Sequence, residues 1–297
     1  MTGLPEIPAT NDSFVFPEQV YRREFKKIRH ALISFDRLSE QTQEWAREAK
    51  LRFIERESVE RPGTLEIIGR IDSLPPVEDW WFQAKDAFGN LREALDQLNH
   101  NVYRFVSGEE PGLIRFPMAT RGAQWRDWRK SAYEGNYPTW LIARYKRFQP
   151  YSTRRPMLTT LEQISNREKH RDGVAVALSL AEADFGETSY TVTPALSDDF
   201  EVSNVESASP PLIDLNSREF RVVEISIPEH TLSVNETELK AQFNFQFVLR
   251  VDGEEIPLDG AVRHITGEVL WAASHIVGRE LNGDAFPSTL DLSLSGD

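Results

Sequence analysis

The chain has no cysteine in its 297 residues, which excludes disulfides and thiolate-bound metal centres and suits a reducing compartment. No apolar run approaches the roughly 20 residues that a membrane-spanning helix needs. The segment Met1-Thr-Gly-Leu-Pro-Glu-Ile-Pro8 carries neither the basic n-region nor the apolar h-region of a secretory signal. Together these absences predict a cytoplasmic protein with no membrane partner. Histidines number only six, and no catalytic motif of high specificity occurs. What the chain does have is core-forming material. Apolar residues make up 40%, with seven Trp and seventeen Phe, enough for one large domain or two of ordinary size.

Net charge is −13, and it is unevenly spread. Residues 1–114 carry a balance of −5, residues 115–171 one of +9, and residues 172–297 one of −17. A basic middle segment can favour RNA or another phosphate-bearing ligand. It can equally pair with the acidic C-terminal half inside the fold. The two readings stay open at this point.

In chain order, residues 1–17, with Pro5, Pro8 and Pro17, predict an extended arm. Helical spacing of Tyr21, Phe25, Ile28, Leu32 and Phe35 predicts a long helix, or two in a row, from about Glu18 to about Glu57, since neither Gly nor Pro interrupts it. Residues 64–71 predict a strand. From Ala84 to Phe105 apolar residues step by three or four, so Val77 to Val106 predicts a second long helix. Leu158, Leu161 and Ile164 mark a third, which closes a helical domain over 18–172. After Gly173 the pattern turns to period two, clearest in Gln242 to Val251, where Phe243, Phe245 and Phe247 alternate with other residues. An antiparallel β region is expected over 173–258, with Asp252-Gly253 as a hairpin turn. A C-terminal helix and tail follow over 259–297. The expected class is α+β: a long-helix bundle, an antiparallel sheet, then a C-terminal helix.

The candidate chemistry concentrates at the end of the helical half. Glu162, Asn166 and His170 follow at i, i+4 and i+8 on one flank of a helix, while Arg167 and Arg171 make a second row. An imidazole beside an amide and a carboxylate has the parts for acid–base chemistry near neutral pH. It is also what a solvated helix end looks like. On the second long helix Arg92, Asp96 and Asn99 border the apolar stripe, and that flank is expected to face the Glu162 row. Trp125, Arg126 and Arg129 interleave aromatics with cations, a pattern that can stack bases and neutralise phosphates, although aromatics at helical spacing more often pack in a core. No metal site and no cofactor are expected. The His264, Glu268, Trp271 and His275 row on the last helix reads as a surface or subunit contact, and with Trp45 it predicts a homo-oligomer.

A series of residues carries a resemblance. Pro75-Pro76 is followed by Asp86-Ala-Phe-Gly-Asn-Leu-Arg-Glu-Ala-Leu-Asp96, then Phe116-Pro117, Gln149-Pro-Tyr151 and Leu161-Glu-Gln-Ile-Ser-Asn-Arg-Glu-Lys-His-Arg171. Over about 64–175 this resembles a widespread family of uncharacterised bacterial proteins, which pair an Asn-Leu-Arg-x-Ala-Leu-Asp helix with a later Asn-x-Asp-Lys-His-Arg motif. The chain has Glu168 where that family has Asp and Gln97 where it has His. More loosely, Asn166 to His170 is similar in spacing to the late helix of HEPN ribonucleases and toxins, with Ser165 where an Arg precedes the Asn. The HEPN likeness implies RNA binding or cleavage, with His170 as acid or base and Asn166 as an orienting amide. The competing expectation is a non-enzymatic interaction or scaffolding protein, in which the same residues tie helices together.

Overall fold

The computed structural model describes residues 13–49, 51–59, 64–110, 112, 115–134, 137–153, 156–169, 175–184, 189–191, 218–226, 236–238, 242–251 and 254–279. The protein is α+β, with helices and small antiparallel sheets. Among the described residues, no helix is long and apolar enough to cross a membrane. The chain divides into two units. The helical unit lies within Met1–Leu38, Trp81–Val174 and Asp259–Asp297; the sheet unit lies within Ser39–Trp80 and Ala175–Leu258.

Helix α1 spans Arg22–Glu48, and Phe25, Ile28, Ala31, Phe35 and Leu38 form its buried stripe. The helix expected to run on to about Glu57 stops there, and Leu51–Glu57 form strand β1. Local propensity does not decide that stretch. β1 pairs antiparallel with β2, Thr64–Ile71, in a register that sets Arg56 opposite Glu66 and Ile54 opposite Ile68. Such cross-strand pairs outweigh a weak helical preference. Helix α2, Val77–Ser107, starts directly after Pro75-Pro76, with Glu78 and Asp79 in its first turn where the dipole favours anions.

Shorter helices follow: α3, Gly122–Glu134; α4, Thr139–Lys146; α5, Pro150–Thr153; and α6, Pro156–Lys169. Pro156 suits the first helical position, where a missing N–H costs nothing. Strands β3 (Ala175–Asp184), β4 (Ser189–Thr191), β5 (Glu219–Ser226), β6 (Glu236–Glu238), β7 (Gln242–Val251) and β8 (Glu254–Pro257) precede the last helix, α7, Leu258–Val277. The expected turn at Asp252-Gly253, the 198–217 stretch and the tail beyond 279 lie outside the described residues.

In the helical unit α2 is central to the core. Phe88, Leu91, Leu95, Leu98 and Val102 are fully or almost fully buried. Phe35 of α1 meets Phe88 edge-on at 5.1 Å or less, with ring centroids 4.9 Å apart. On α6, Leu158, Leu161 and Ile164 are buried as their spacing predicts. Before α1, Phe14 and Phe16 pack with Phe105 and Trp140, and the Phe16 N–H donates to the Val277 carbonyl at 2.8 Å. α7 ends in a Schellman turn: Arg279 N–H donates to Ser274 O at 2.9 Å and Gly278 N–H to His275 O at 3.1 Å. Gly278 has φ +79°, and a Cβ there would overlap the Phe14 carbonyl oxygen, so glycine is required on both counts.

The sheet unit holds strand orders β1-β2-β5, β3-β7-β8 and β4-β6, all antiparallel. Gly69 sits opposite Phe220, and a Cβ at Gly69 would overlap that ring. Trp45 lies 6.0 Å from Trp80, which meets Phe247 at 4.7 Å. Trp45 is therefore partnered within its own unit. Trp271 likewise contacts Phe148 edge-on at 4.3 Å, so the outward aromatic face expected on α7 is an internal contact.

Candidate functional site

Two flanks predicted to face each other do meet. Arg92 on α2 is 8% exposed, and its Nη1 lies 2.7 Å from Glu162 Oε2 on α6. The same guanidinium reaches Asp96 at 3.2 Å, one turn further on, and Nη2 donates to the Phe116 carbonyl at 3.3 Å. Asp96 in turn accepts from the Phe116 N–H at 2.9 Å. The planar fork of arginine suits this task because it can satisfy acceptors on several sides at once. Gln149, fully buried, completes the arrangement: its amide donates to Pro117 O at 3.1 Å and Tyr145 O at 2.9 Å, and accepts from Ala119 N–H at 2.9 Å. Arg92, Asp96, Phe116-Pro117, Gln149 and Glu162 thus form one clasp, although they are distant in sequence.

Beside the clasp runs a groove of about 880 Å³. α2 supplies its middle through Gln83, Lys85, Asp86, Gly89, Asn90, Arg92, Glu93 and Asp96. α1 adds His30, Ser34 and Arg37, and α6 adds Ile164 and Ser165. Lys27 pairs with Glu93 at 2.6 Å on the α1 side, and Gln97 donates to the same carboxylate at 2.9 Å. The Ser165 hydroxyl oxygen is buried with no hydrogen-bond partner among the described residues. The α1 wall escaped the sequence reading. Its signal was the polar row His30, Ser34, Arg37 at i, i+4 and i+7 beside the Phe35 stripe. A helix-interior glycine at 89 was a second unread sign.

The remaining candidates separate. Asn166 and Arg167 lie on α6, but their side chains, and all of His170 and Arg171, lie outside the described residues. Asn99 is fully buried away from the groove and accepts from the Tyr137 hydroxyl at 3.2 and 3.3 Å. Burial pushes the Tyr137 and Tyr145 phenols well up, so both keep their protons. Trp125 is buried, stacked on Trp128 at 5.1 Å, while Arg126 and Arg129 are exposed. The aromatics and cations of α3 therefore part company. Arg144, from the same basic segment, is buried and donates to Ile276 O at 2.9 Å and Phe14 O at 2.8 Å.

A second cavity of about 500 Å³, lined by Arg23, Glu24, Asp96, His100 and Arg115 among others, lies on the other side of Asp96 in the chain of α2. Glu24 is 2% exposed and accepts from Asn101 at 3.0 Å; burial raises its pKa above the usual carboxylate range. On α7, Glu268 accepts from the Leu158 N–H at 3.0 Å. It thereby satisfies one open donor at the start of α6 and faces the positive end of that helix. Among the described residues, no group of three or more His, Asp or Glu is placed to hold a metal. No protein-family model, curated protein or solved structure matches the chain.

Proposed function

We propose that the helical unit is a HEPN-like module that binds single-stranded RNA, with the groove between α1, α2 and α6 as its binding surface. The observation that carries this reading is the groove itself: it brings Arg37 and Lys85 together with the Ser165 hydroxyl, one residue before Asn166. Cations can neutralise the phosphates, and hydroxyl and amide groups can position them. If the module also cleaves, His170 takes the 2′-hydroxyl proton as that oxygen attacks phosphorus. The bond to the 5′-oxygen then breaks, leaving a cyclic phosphate and, after proton return, a 5′-hydroxyl. The same reading places the protein in a bacterial cytoplasm.

Titrating labelled single-stranded RNA into the full chain tests it. Arg37→Glu with Lys85→Glu is expected to lower affinity at least about tenfold and to flatten its salt dependence. His170→Ala should abolish cleavage, a loss of at least ~10²-fold, with binding retained. No RNA binding by the parent protein at low salt overturns the proposal.

The clasp favours a second reading, a non-enzymatic interaction protein. Arg92 is fully engaged by Asp96, Glu162 and Phe116, so it holds helices together and is not poised for a ligand. Under that reading the His170→Ala variant loses stability and the parent cleaves no RNA. A homo-oligomer retains no support from Trp45 or Trp271, both occupied within the chain; light scattering at micromolar concentration measures it directly.

A further inference from the structure

The groove has an end whose side chains the clasp leaves unused. Phe82, Asp86, Gly89 and Glu93 follow one another at steps of four, three and four along α2, so they share one face of the helix. Phe82 is 55% exposed, and the Lys85 ammonium sits 5.9 Å from its ring centre. Exposed aromatics beside cations are the stacking platforms of single-strand binders. One turn on, Gly89 is exposed in the middle of a 31-residue helix. Nothing lies within 4 Å of a Cβ built there, so packing does not demand glycine, although glycine weakens a helix interior. What its bare backbone provides is room for a flat group to approach α2.

Asp86 and Asn90 flank Gly89 at i and i+4 and are neighbours on the helix surface. Neither has a hydrogen-bond partner among the described residues. A carboxylate offers two acceptors side by side, and an amide adds a donor. Guanine presents the complementary edge: adjacent N1–H and N2–H donors, then the O6 acceptor. Uracil has a single N–H there, and adenine and cytosine each place an acceptor where the carboxylate would repel it. We propose that this end of the groove takes an unstacked guanine, stacked on Phe82 and read by Asp86 and Asn90 over the bare backbone of Gly89. This rests on the RNA reading above and adds a base preference to it.

Isothermal titration of the full chain with 5′-GMP, AMP, CMP and UMP is the test. GMP is expected to bind at least about tenfold more tightly than the other three, the discrimination of one good bidentate pair. Asp86→Asn should remove that preference by replacing one acceptor with a donor. Gly89→Ala should raise the melting temperature while weakening GMP severalfold, a combination that no folding defect produces. Equal affinities for the four nucleotides, or a guanine preference that survives Asp86→Asn, overturn the proposal. The RNA reading still stands in that case if labelled RNA binds in an Arg37- and Lys85-dependent way. Absence of all nucleotide and RNA binding removes both.

Discussion

The two units bury charge by different means. In the sheet unit the buried charge is an anion: the Glu66 side chain is 5% exposed, and its cations come from the rim. Arg56 and Arg221 keep 53% and 40% of their side chains in water while reaching Glu66 at 3.2 and 3.7 Å. Ser58 donates to it at 2.8 Å. In the helical unit Arg92 and Arg144 are themselves buried, and their acceptors come from other elements. A rim arginine can shift with its water; a buried one needs acceptors already in place around its donors. The sheet's charges therefore fix a register between neighbouring strands, whereas the helical charges tie together segments far apart in sequence.

Removing Arg92 should have the largest effect. Arg92→Ala strands Glu162 and Asp96 without their cation and is expected to cost about 3–5 kcal/mol, a fall of about 10 °C in Tm. A calorimetric Tm within a degree or two of the parent would mean that the clasp is ornamental. Arg144→Met comes next, at about 2–3 kcal/mol, because the Phe14 and Ile276 carbonyls lose a charged donor. Urea denaturation reads this directly, and an unchanged midpoint would erase the contrast between the units.

Glu66→Gln should cost less, about 1–2 kcal/mol at neutral pH. The Ser58 hydrogen bond, followed by the arginines, holds the Glu66 pKa below the usual carboxylate range. Its contribution is therefore present above that range and lost as pH falls through the depressed value. The gap between parent and variant should close on acidification; a gap that stays constant down to pH 3 contradicts the assignment. Glu24→Gln is the smallest change and has the opposite sign. Burial raises the Glu24 pKa, so its ionised form opposes folding at neutral pH, and the parent gains relative stability as acid protonates it. The variant should be more stable at pH 7 by less than about 1 kcal/mol, with the gain vanishing in acid. Thermal melts at two pH values distinguish this from loss of the Asn101 bond, which would lower stability at both.

How much of this was legible in the sequence differs by element. α2 could be read because apolar residues recur at three and four from Ala84 to Phe105, and β7 because its aromatics alternate. β1 could not. Leu51-Arg-Phe-Ile-Glu-Arg-Glu57 lacks a breaker and fits either period, and what decides it is pairing with β2. The polar flanks of α2 and α6 were visible, but not what Arg92 does there. An i, i+4 spacing to Asp96 says nothing of a carbonyl 24 residues away. On α3 the written alternation of Trp and Arg misled, because successive helical residues turn by 100° and face different surroundings. Trp125 went inward and Arg126 outward. Exposed polar residues at the groove carried no periodic signal at all.

The Arg144 contacts also constrain the order in which the protein can assemble. One guanidinium bridges Phe14, 130 residues before it, and Ile276, 132 residues after it. During synthesis, the helical unit can gather its first and middle segments early, but it cannot close until α7 has emerged. The sheet unit's second segment, Ala175–Leu258, is made in that interval. A nascent chain therefore waits through most of its translation with the seat of α7 open, its apolar lining uncovered. Contacts of such long range slow folding, and incomplete chains of this kind are the ones that chaperones meet.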